Sequence, residues 1–217
     1  MRAPAAVQTR LSIRGPAGDL EAVLEEPVIE GVERFGVVCH PHSQAGGTLN
    51  NKVVHTLART FQELGLPALR FNFRGVGQSA GEFDHGNGET DDALAVIEWG
   101  RARWPGVPFW LAGFSFGAYV ALRASARRMP ERLVTVAPPV QRFEFAPLPA
   151  PTCPWLLIQG DQDEIVDYKA VVAWAQSLSP APDVVVLPGV GHFFHGRLHE
   201  LKEAVIRPVR ERAADRH

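Results

Sequence analysis

Two segments of the sequence place a serine in the pattern Gly-x-Ser-x-Gly, which is typical of a reactive serine held in a tight turn. They centre on Ser79 and Ser115. The turn needs an apolar strand before it and a helix after it, because the hydroxyl then projects above a sheet with a helix N-terminus beneath it. Ser115 has both, whereas further glycines and no helical period follow Ser79. We therefore predict that Ser115 is a nucleophile and Ser79 a turn residue.

A serine nucleophile needs a base within hydrogen-bonding reach, and the base needs an acid that orients it. Two later loops contain these residue types: an acidic loop, residues 160–167, follows one apolar run, and His192 follows the next. Catalytic groups of open parallel sheets collect at the carboxyl ends of the strands. The chain order serine, acid, histidine is known from one fold of serine hydrolases. Asp161 and Asp163 are the two candidate acids.

Closely spaced histidines also suggest a metal site. His192, His195 and His199 form one string, and His40 and His42 form a second. The motif His-Glu-x-x-His does not occur, and the serine segment accounts for His192 more economically. We predict no cofactor and no metal, and we place His195 and His199 at the start of the last helix, with His195 able to reach the rim of the site. A metal-dependent hydrolase is the third hypothesis.

The elements that position these residues alternate in type along the chain. An N-terminal hairpin, residues 7–14 and 20–26, is followed by short apolar strands and amphipathic helices. The later strands are predicted at 35–39, 67–73, 108–112, 133–137, 155–159 and 184–187. The helices are predicted at 51–64, 90–103, 116–128, 167–178 and 197–212. Continuous apolar strands between amphipathic helices imply a mostly parallel sheet with helices on both faces.

Composition narrows the classes of protein that fit. The chain has 217 residues, of which 46% are hydrophobic, with 22 basic and 24 acidic side chains. This balance excludes a basic nucleic-acid-binding surface, and no apolar stretch has the length of a membrane helix. Cys39 and Cys153 are predicted to be free, buried thiols. We expect one domain over residues 1–217, with a flexible tail at residues 1–6. The protein is expected to be cytoplasmic, to be a monomer or a homodimer, and to have no nucleic-acid or membrane partner.

From residue 35 to its end the chain resembles the α/β-hydrolase superfamily, in particular small, lidless bacterial serine hydrolases related to dienelactone hydrolases and carboxylesterases. The resemblance is carried by residues 40–42 (His-Pro-His), 72–79 (Asn-Phe-Arg-Gly-Val-Gly-Gln-Ser), 113–117, 160–166 and 191–192. It implies an α/β-hydrolase fold with a mostly parallel central sheet, an N-terminal antiparallel hairpin and helices on both faces. We interpret residues 72–79 as structural.

The resemblance also implies roles for individual residues. In this family the acid usually stands three residues after the glycine that ends the strand, before a β-branched pair. Asp163 is similar to that pattern, and Asp161 is the alternative. We interpret Glu164 as a loop charge and Asp167 as a helix N-cap.

An oxyanion hole should stabilise the charge that develops on the substrate carbonyl. One donor is predicted to be the N–H of Phe116, directly after the serine. Relatives often have His-Gly in the loop that supplies the other donor, but this chain has His40-Pro41, and proline carries no N–H. The second donor is therefore predicted to be the N–H of His42, with Ser43 as the alternative.

Many esterases insert a cap between the strand after the nucleophile helix and the strand before the acid. Here that interval is residues 138–154, which is short and rich in proline. It cannot form a helical lid, so we expect no cap domain and an open site. Phe114 and Phe193 are predicted to bind substrate, with Phe116, Phe143 and Phe145 as further wall candidates.

The function implied is a serine hydrolase of carboxylesterase type that cleaves short-chain carboxylic esters or thioesters through an acyl-enzyme. The alternative is a catalytically weak scaffold that acts as a ligand-binding or interaction module. Esters, thioesters, lactones and amides share a tetrahedral intermediate, so the sequence does not separate these small-molecule substrates.

Overall fold

A computed structural model describes residues 6–28, 30–145 and 148–214. Eight strands form one sheet in the spatial order β1-β2-β4-β3-β5-β6-β7-β8. The strands are β1 (Ala6–Gly15), β2 (Gly18–Pro27), β3 (Phe35–Cys39), β4 (Ala68–Phe71), β5 (Phe109–Phe114), β6 (Arg132–Val136), β7 (Trp155–Gly160) and β8 (Asp183–Leu187). The tail predicted at residues 1–6 lies outside the described residues at positions 1–5, and β1 already begins at Ala6.

Five helices accompany the sheet within the described residues. They are α1 (Lys52–Glu63), α2 (Asn87–Arg103), α3 (Phe116–Arg127), α4 (Tyr168–Gln176) and α5 (Leu198–Ala214), and a 3-10 turn covers Ser43–Ala45. In the described part of the chain none of the helices has the length and apolar character needed to cross a bilayer. Asp167 caps α4 as predicted, because its side chain accepts the N–H of Lys169.

The sheet has the predicted mixture of directions. Strands β1 and β2 form an antiparallel hairpin, and β2 runs antiparallel to β4. Every other neighbouring pair is parallel, so β3, β5, β6, β7 and β8 all end at the same edge. The loops that follow these ends therefore meet above one edge of the sheet. The structure confirms the predicted fold class, the α/β-hydrolase fold.

Apolar side chains cover both faces of the sheet, as a parallel sheet requires. One core cluster packs the sheet against α2, α3 and α4, and the other packs it against α1 and α5. The thiols of Cys39 and Cys153 are both free; Cys39 is fully buried and Cys153 partly buried. Of residues 138–145 and 148–154, none belongs to a helix or strand, so no cap domain is evident over the sheet edge.

The largest difference from the predicted elements is the start of α2, which begins three residues early, in a glycine-rich stretch. The carboxylate of Glu89 accepts the N–H groups of Asp84 and Gly86, and Asp84 accepts the N–H of Gly88. The bond to Gly88 satisfies a donor that the helix N-terminus leaves free, and the bonds to Glu89 hold the turn that precedes the helix. The sequence pattern missed this start because acidic side chains, rather than apolar spacing, stabilise the first turn.

A buried ion pair joins the hairpin to the parallel part of the sheet. The guanidinium of Arg70 on β4, 1% exposed, bonds to Glu25 Oε1 on β2 at 2.5 and 3.1 Å. Arg70 also donates to the carbonyl oxygen of Leu49. Removing one member of a buried pair leaves the other charge without compensation, which is costly.

We expect Glu25→Leu to lower the free energy of unfolding by about 3–5 kcal/mol, because Arg70 is left charged and buried. The double variant Glu25→Leu/Arg70→Met should recover most of this loss, although the Leu49 carbonyl still lacks its donor. Denaturant unfolding of the wild type, both single variants and the double variant measures the cycle. A double variant as unstable as Glu25→Leu would contradict the assigned role of the pair.

Candidate active site

Ser115 lies in a sharp turn between β5 and α3. Its backbone angles are φ 54° and ψ −121°, a conformation that residues other than glycine rarely adopt. The N–H of Ser115 donates to the carbonyl of Val136 at 2.8 Å, which ties the turn to β6. The side chain is partly exposed above the carboxyl end of the sheet. This is the strand-turn-helix context that the sequence predicted for Ser115.

The glycines on either side of Ser115 are required by close backbone contacts. A Cβ at Gly113 would collide with the carbonyl oxygen of Gly117. A Cβ at Gly117 would collide with the carbonyl oxygen of Cys39, at the end of β3. The turn therefore requires glycine, which has no Cβ, at both positions.

The structure brings Ser115, His192 and Asp163 into one hydrogen-bonded chain. Ser115 Oγ lies 3.1 Å from His192 Nε2, and His192 Nδ1 lies 2.8 Å from Asp163 Oδ2. With the proton on Nδ1 donated to Asp163, Nε2 is free to accept the serine proton. His192 is 3% exposed, so its ring is held in a packed environment.

Asp163 is held as a carboxylate by several donors. Burial opposes its ionisation, but the hydrogen bond with His192 and those from the N–H groups of Val166 and Ile165 together lower the pKa of Asp163 below its ordinary value. Its Oδ1 accepts those two N–H groups at 2.7 and 2.9 Å. The buried amide of Gln159 donates to Oδ2 at 3.0 Å. The charge needed to orient His192 is thus kept near neutral pH.

Two other acidic side chains of this loop, Asp161 and Glu164, bond to the backbone of the loop that carries His192. Asp161 Oδ1 accepts the N–H of Gly189 at 2.6 Å, and Glu164 Oε2 accepts the N–H of His192 at 3.1 Å. Asp161, the alternative acid, therefore contacts the β8 loop and Asp163 contacts the imidazole. Glu164, predicted as a loop charge, joins the two loops.

His40 supports the predicted oxyanion loop from below. Its Nδ1 lies 2.6 Å from the carbonyl oxygen of Pro41, and its Nε2 accepts the N–H of Phe73 at 3.0 Å. Burial lowers the pKa of His40 to about 4, so the ring is neutral at physiological pH. The imidazole therefore fixes the start of residues 40–47 without carrying charge.

His42 and Phe116 line the same cavity as Ser115. Phe116 is the first residue of α3, so its N–H has no partner within the helix. The ring of His42 packs between Phe83, Phe116 and Phe143, and burial lowers the pKa of His42. Both residues predicted to supply oxyanion donors therefore border the space above the serine.

The cavity has a volume of about 370 Å³ and opens to solvent. Phe193 lines it and is 39% exposed, and Phe116 and Phe143 are also on its wall. Phe114, predicted to bind substrate, lies elsewhere: it is fully buried and packs against the His192 ring at 5.0 Å between centroids. Phe145 is also buried, against Tyr119 and Trp174. Side chains of a strand alternate between faces, and Phe114 points into the core while the turn presents Ser115.

The remaining candidate residues lie away from the serine. Ser79 is buried; its hydroxyl donates to the carbonyl of Asn72 and accepts the N–H of Glu21. His195 is exposed and stacks on Phe193, and His199 is exposed in the first turn of α5. In the part of the chain that the structure describes, no group of three His, Cys, Asp or Glu side chains is arranged to hold a metal ion.

Sequence reasoning missed Gln159, which ends β7 next to the acid, and Arg142, which lines the cavity. The signal for Gln159 is a polar residue in an apolar strand, directly before Gly160, because a buried amide needs a hydrogen-bond partner. Arg142 lies after β6 in an irregular segment, where the spacing of residues does not indicate which way a side chain points.

The neutral, buried state of His40 predicts a loss of stability in mild acid. Its folded pKa of about 4 lies below the ordinary value of 6.5, so the unfolded chain binds the additional proton between these values. We expect stability to fall as the pH decreases from 6.5 to 4, with His40 contributing about 3 kcal/mol to the fall. Urea unfolding of wild type and His40→Gln across this range checks it. Equal pH slopes for the two proteins would contradict the assignment.

A family model described as serine aminopeptidase, S33, matches residues 45–148, a span that contains Ser115 and ends before Asp163 and His192. Among curated proteins, an uncharacterized protein of Rickettsia prowazekii is 33% identical over 207 residues, which cover 90% of this chain and 86% of the relative.

Two solved structures are more similar. The α/β serine hydrolase without lid from Xanthomonas campestris is 48% identical, with a TM-score of 0.89 and coverage of 94% of each chain. An α/β serine hydrolase homologue from Coxiella burnetii is 46% identical, with a TM-score of 0.89 and coverage of 92% of this chain and 96% of the other. The identity to both structures extends over nearly the whole chain, and Ser115 lies in a turn between a strand and a helix, at the edge where the parallel strands end. The chain therefore belongs to the lidless α/β serine hydrolases.

Proposed function

We propose that the protein is a carboxylesterase-type serine hydrolase that cleaves short-chain carboxylic esters or thioesters. The observation that carries the proposal is the continuous chain of hydrogen bonds from Ser115 Oγ to His192 to Asp163, at 3.1 and 2.8 Å. A serine joined in this way to a base and an oriented acid is the general arrangement of an activated nucleophile. We further propose a cytoplasmic enzyme, monomeric or homodimeric, that needs no cofactor.

In the proposed reaction, Ser115 Oγ attacks the carbonyl carbon while its proton passes to His192 Nε2. The protonated His192, stabilised by the Asp163 carboxylate, then gives that proton to the leaving alkoxide or thiolate. The acyl group remains as an ester on Ser115. A water molecule, deprotonated by His192, attacks this ester, and the carboxylic acid is released as the proton returns to Ser115.

The negative charge on the carbonyl oxygen is proposed to be stabilised by the N–H groups of Phe116 and His42. The N–H of Phe116 lies at the positive end of the α3 macrodipole, which adds to the stabilisation. His40 supports the second donor, because it holds the carbonyl of Pro41 on the preceding residue. Backbone donors held in this way need no reorganisation when charge develops.

The cavity favours esters over the substrates of an aminopeptidase, the activity named by the family model. An aminopeptidase must bind a substrate ammonium group, for which a carboxylate is the natural partner. No Asp or Glu is among the described residues that line the cavity, and Arg142 would repel an ammonium group. We therefore propose ester or thioester cleavage for this site.

Labelling with a fluorophosphonate tests the nucleophile. We expect one adduct in the intact mass of the wild type, the same adduct in Ser79→Ala, and no adduct in Ser115→Ala. Circular dichroism of the three proteins controls for folding. An unlabelled wild type, beside a serine hydrolase that reacts, would favour the alternative of a catalytically weak binding scaffold.

The small open cavity predicts a preference for short acyl chains. The cavity is open to solvent and no cap covers this edge of the sheet in the described residues, so the far carbons of a longer chain extend into water. We expect kcat/KM for 4-nitrophenyl acetate and butyrate to exceed that for the decanoate by about tenfold or more, because the additional methylenes gain no burial and must be ordered. Steady-state assays below the micellar range measure this. Values that rise steadily to the decanoate would contradict the assignment of an open, short site.

A further inference from the structure

One cationic side chain lies on the wall of the cavity that contains Ser115. Arg142, in the segment after β6, is the one Lys, Arg, Asp or Glu among the described lining residues. The rest of the wall is largely apolar or backbone, with Phe116, Phe143 and Phe193 as its aromatic members. The side chain of Arg142 is exposed, so solvent and salt screen its charge in part, but it is the one such charge that a ligand on this largely apolar wall would meet.

The guanidinium of Arg142 lies next to the loop that carries the candidate acid. Arg142 Nη2 lies 3.4 Å from the carbonyl oxygen of Ile165, a long contact that uses little of the donor capacity of arginine. Ile165 itself is fixed through its N–H, which bonds to Asp163 Oδ1. The guanidinium therefore borders the mouth of the cavity beside the serine, histidine and acid.

Arg142 also lacks an acidic partner, as do Arg59 and Arg123 among the described arginines, but only Arg142 of these three lines the cavity. Within residues 6–28, 30–145 and 148–214, no carboxylate lies within 4.0 Å of its guanidinium. Many other arginines of the chain contact a carboxylate at the surface or in the core, among them Arg74, Arg101, Arg103, Arg127 and Arg128. The two carboxylates nearest the site, Asp163 and Glu164, are already bonded to His192.

The opposite wall also favours negative charge. Asn51, the N-cap of α1, also lines the cavity, so the positive end of this helix macrodipole lies at the cavity wall. A neutral substrate gains nothing from Arg142 or from this helix end. A substrate with an anionic group gains from both, and a planar carboxylate matches the two parallel donors of a guanidinium.

We propose that Arg142 is a specificity-determining residue that selects esters carrying a carboxylate close to the scissile bond. The inference rests on the proposed ester hydrolysis and adds the substrate class. Arginine binds the carboxylate at the mouth of the cavity while the apolar wall holds the short carbon chain between the carboxylate and the ester.

Matched pairs of esters test the proposal. In the acyl arm, 4-nitrophenyl butyrate, pentanoate and hexanoate are compared with the mono-4-nitrophenyl esters of succinate, glutarate and adipate, in which a carboxylate replaces the terminal methyl group. In the alcohol arm, phenyl acetate is compared with 4-carboxyphenyl acetate. The two arms show which half of the ester carries the recognised group. Spontaneous hydrolysis is subtracted from each rate.

The readout is the ratio of kcat/KM for the anionic ester to kcat/KM for its neutral partner. We expect this ratio to fall about tenfold in Arg142→Gln in at least one pair, because a charge-assisted bond is lost. Arg142→Lys should keep part of the ratio, since it keeps the charge but not the planar fork. Arg59→Gln, an exposed arginine on α1 that removes the same charge elsewhere, should keep the wild-type ratio.

Salt separates this role from a structural one. Raising the sodium chloride concentration should lower the ratio of the wild type and leave that of Arg142→Gln nearly unchanged, because only the former depends on an exposed charge pair. Equal ratios in wild type and Arg142→Gln for every pair would overturn the proposal. A wild type that hydrolyses neither the neutral nor the anionic esters would overturn the proposed function instead.

Discussion

The backbone turn at Ser115 is the constraint on which the other parts of the site depend. It requires a left-handed φ at a residue with a side chain, and such a conformation persists only where its surroundings hold it. Three strands supply this support. The turn ends β5, its N–H is bonded to Val136 at the end of β6, and Gly117 packs against the last carbonyl of β3. The serine can stand above the sheet edge because the parallel strands around it end at the same level.

The two loops that face the serine are bonded directly to one another. Asp163 bonds to His192 through side chains, while Asp161 and Glu164 bond to the backbone of the loop after β8. These three acidic side chains therefore have different roles. Asp163 carries the charge that orients the imidazole, and Asp161 and Glu164 position the loop that holds it. The amide of Gln159 donates to the same carboxylate oxygen as His192 and restrains it further.

Loops at the sheet edge, with the N-cap of α1 and the first residue of α3, form the wall of the cavity that contains Ser115. The segment after β6 supplies Arg142 and Phe143, the loop after β3 supplies His42, and the loop after β8 supplies Phe193. The scaffold below can stay constant while these short segments change the charge and shape above it. In the proposed function, discrimination between esters depends on a few side chains such as Arg142, whereas the hydrogen-bonded serine, histidine and acid act on all of them.

The sequence by itself determined the elements and their order, because apolar periodicity and glycine punctuation are local signals. It also predicted that Ser115, the acidic loop and His192 meet at one sheet edge, since each follows an apolar run at an end where parallel strands collect their functional loops. The preference for Asp163 over Asp161 came from the family resemblance. Tertiary structure alone decided which side chains face the cavity. Phe114 is turned into the core, Gln159 is turned to the acid, and Arg142 reaches the cavity from an irregular segment. These directions depend on backbone angles and on contacts between residues far apart in the chain, which no local pattern encodes.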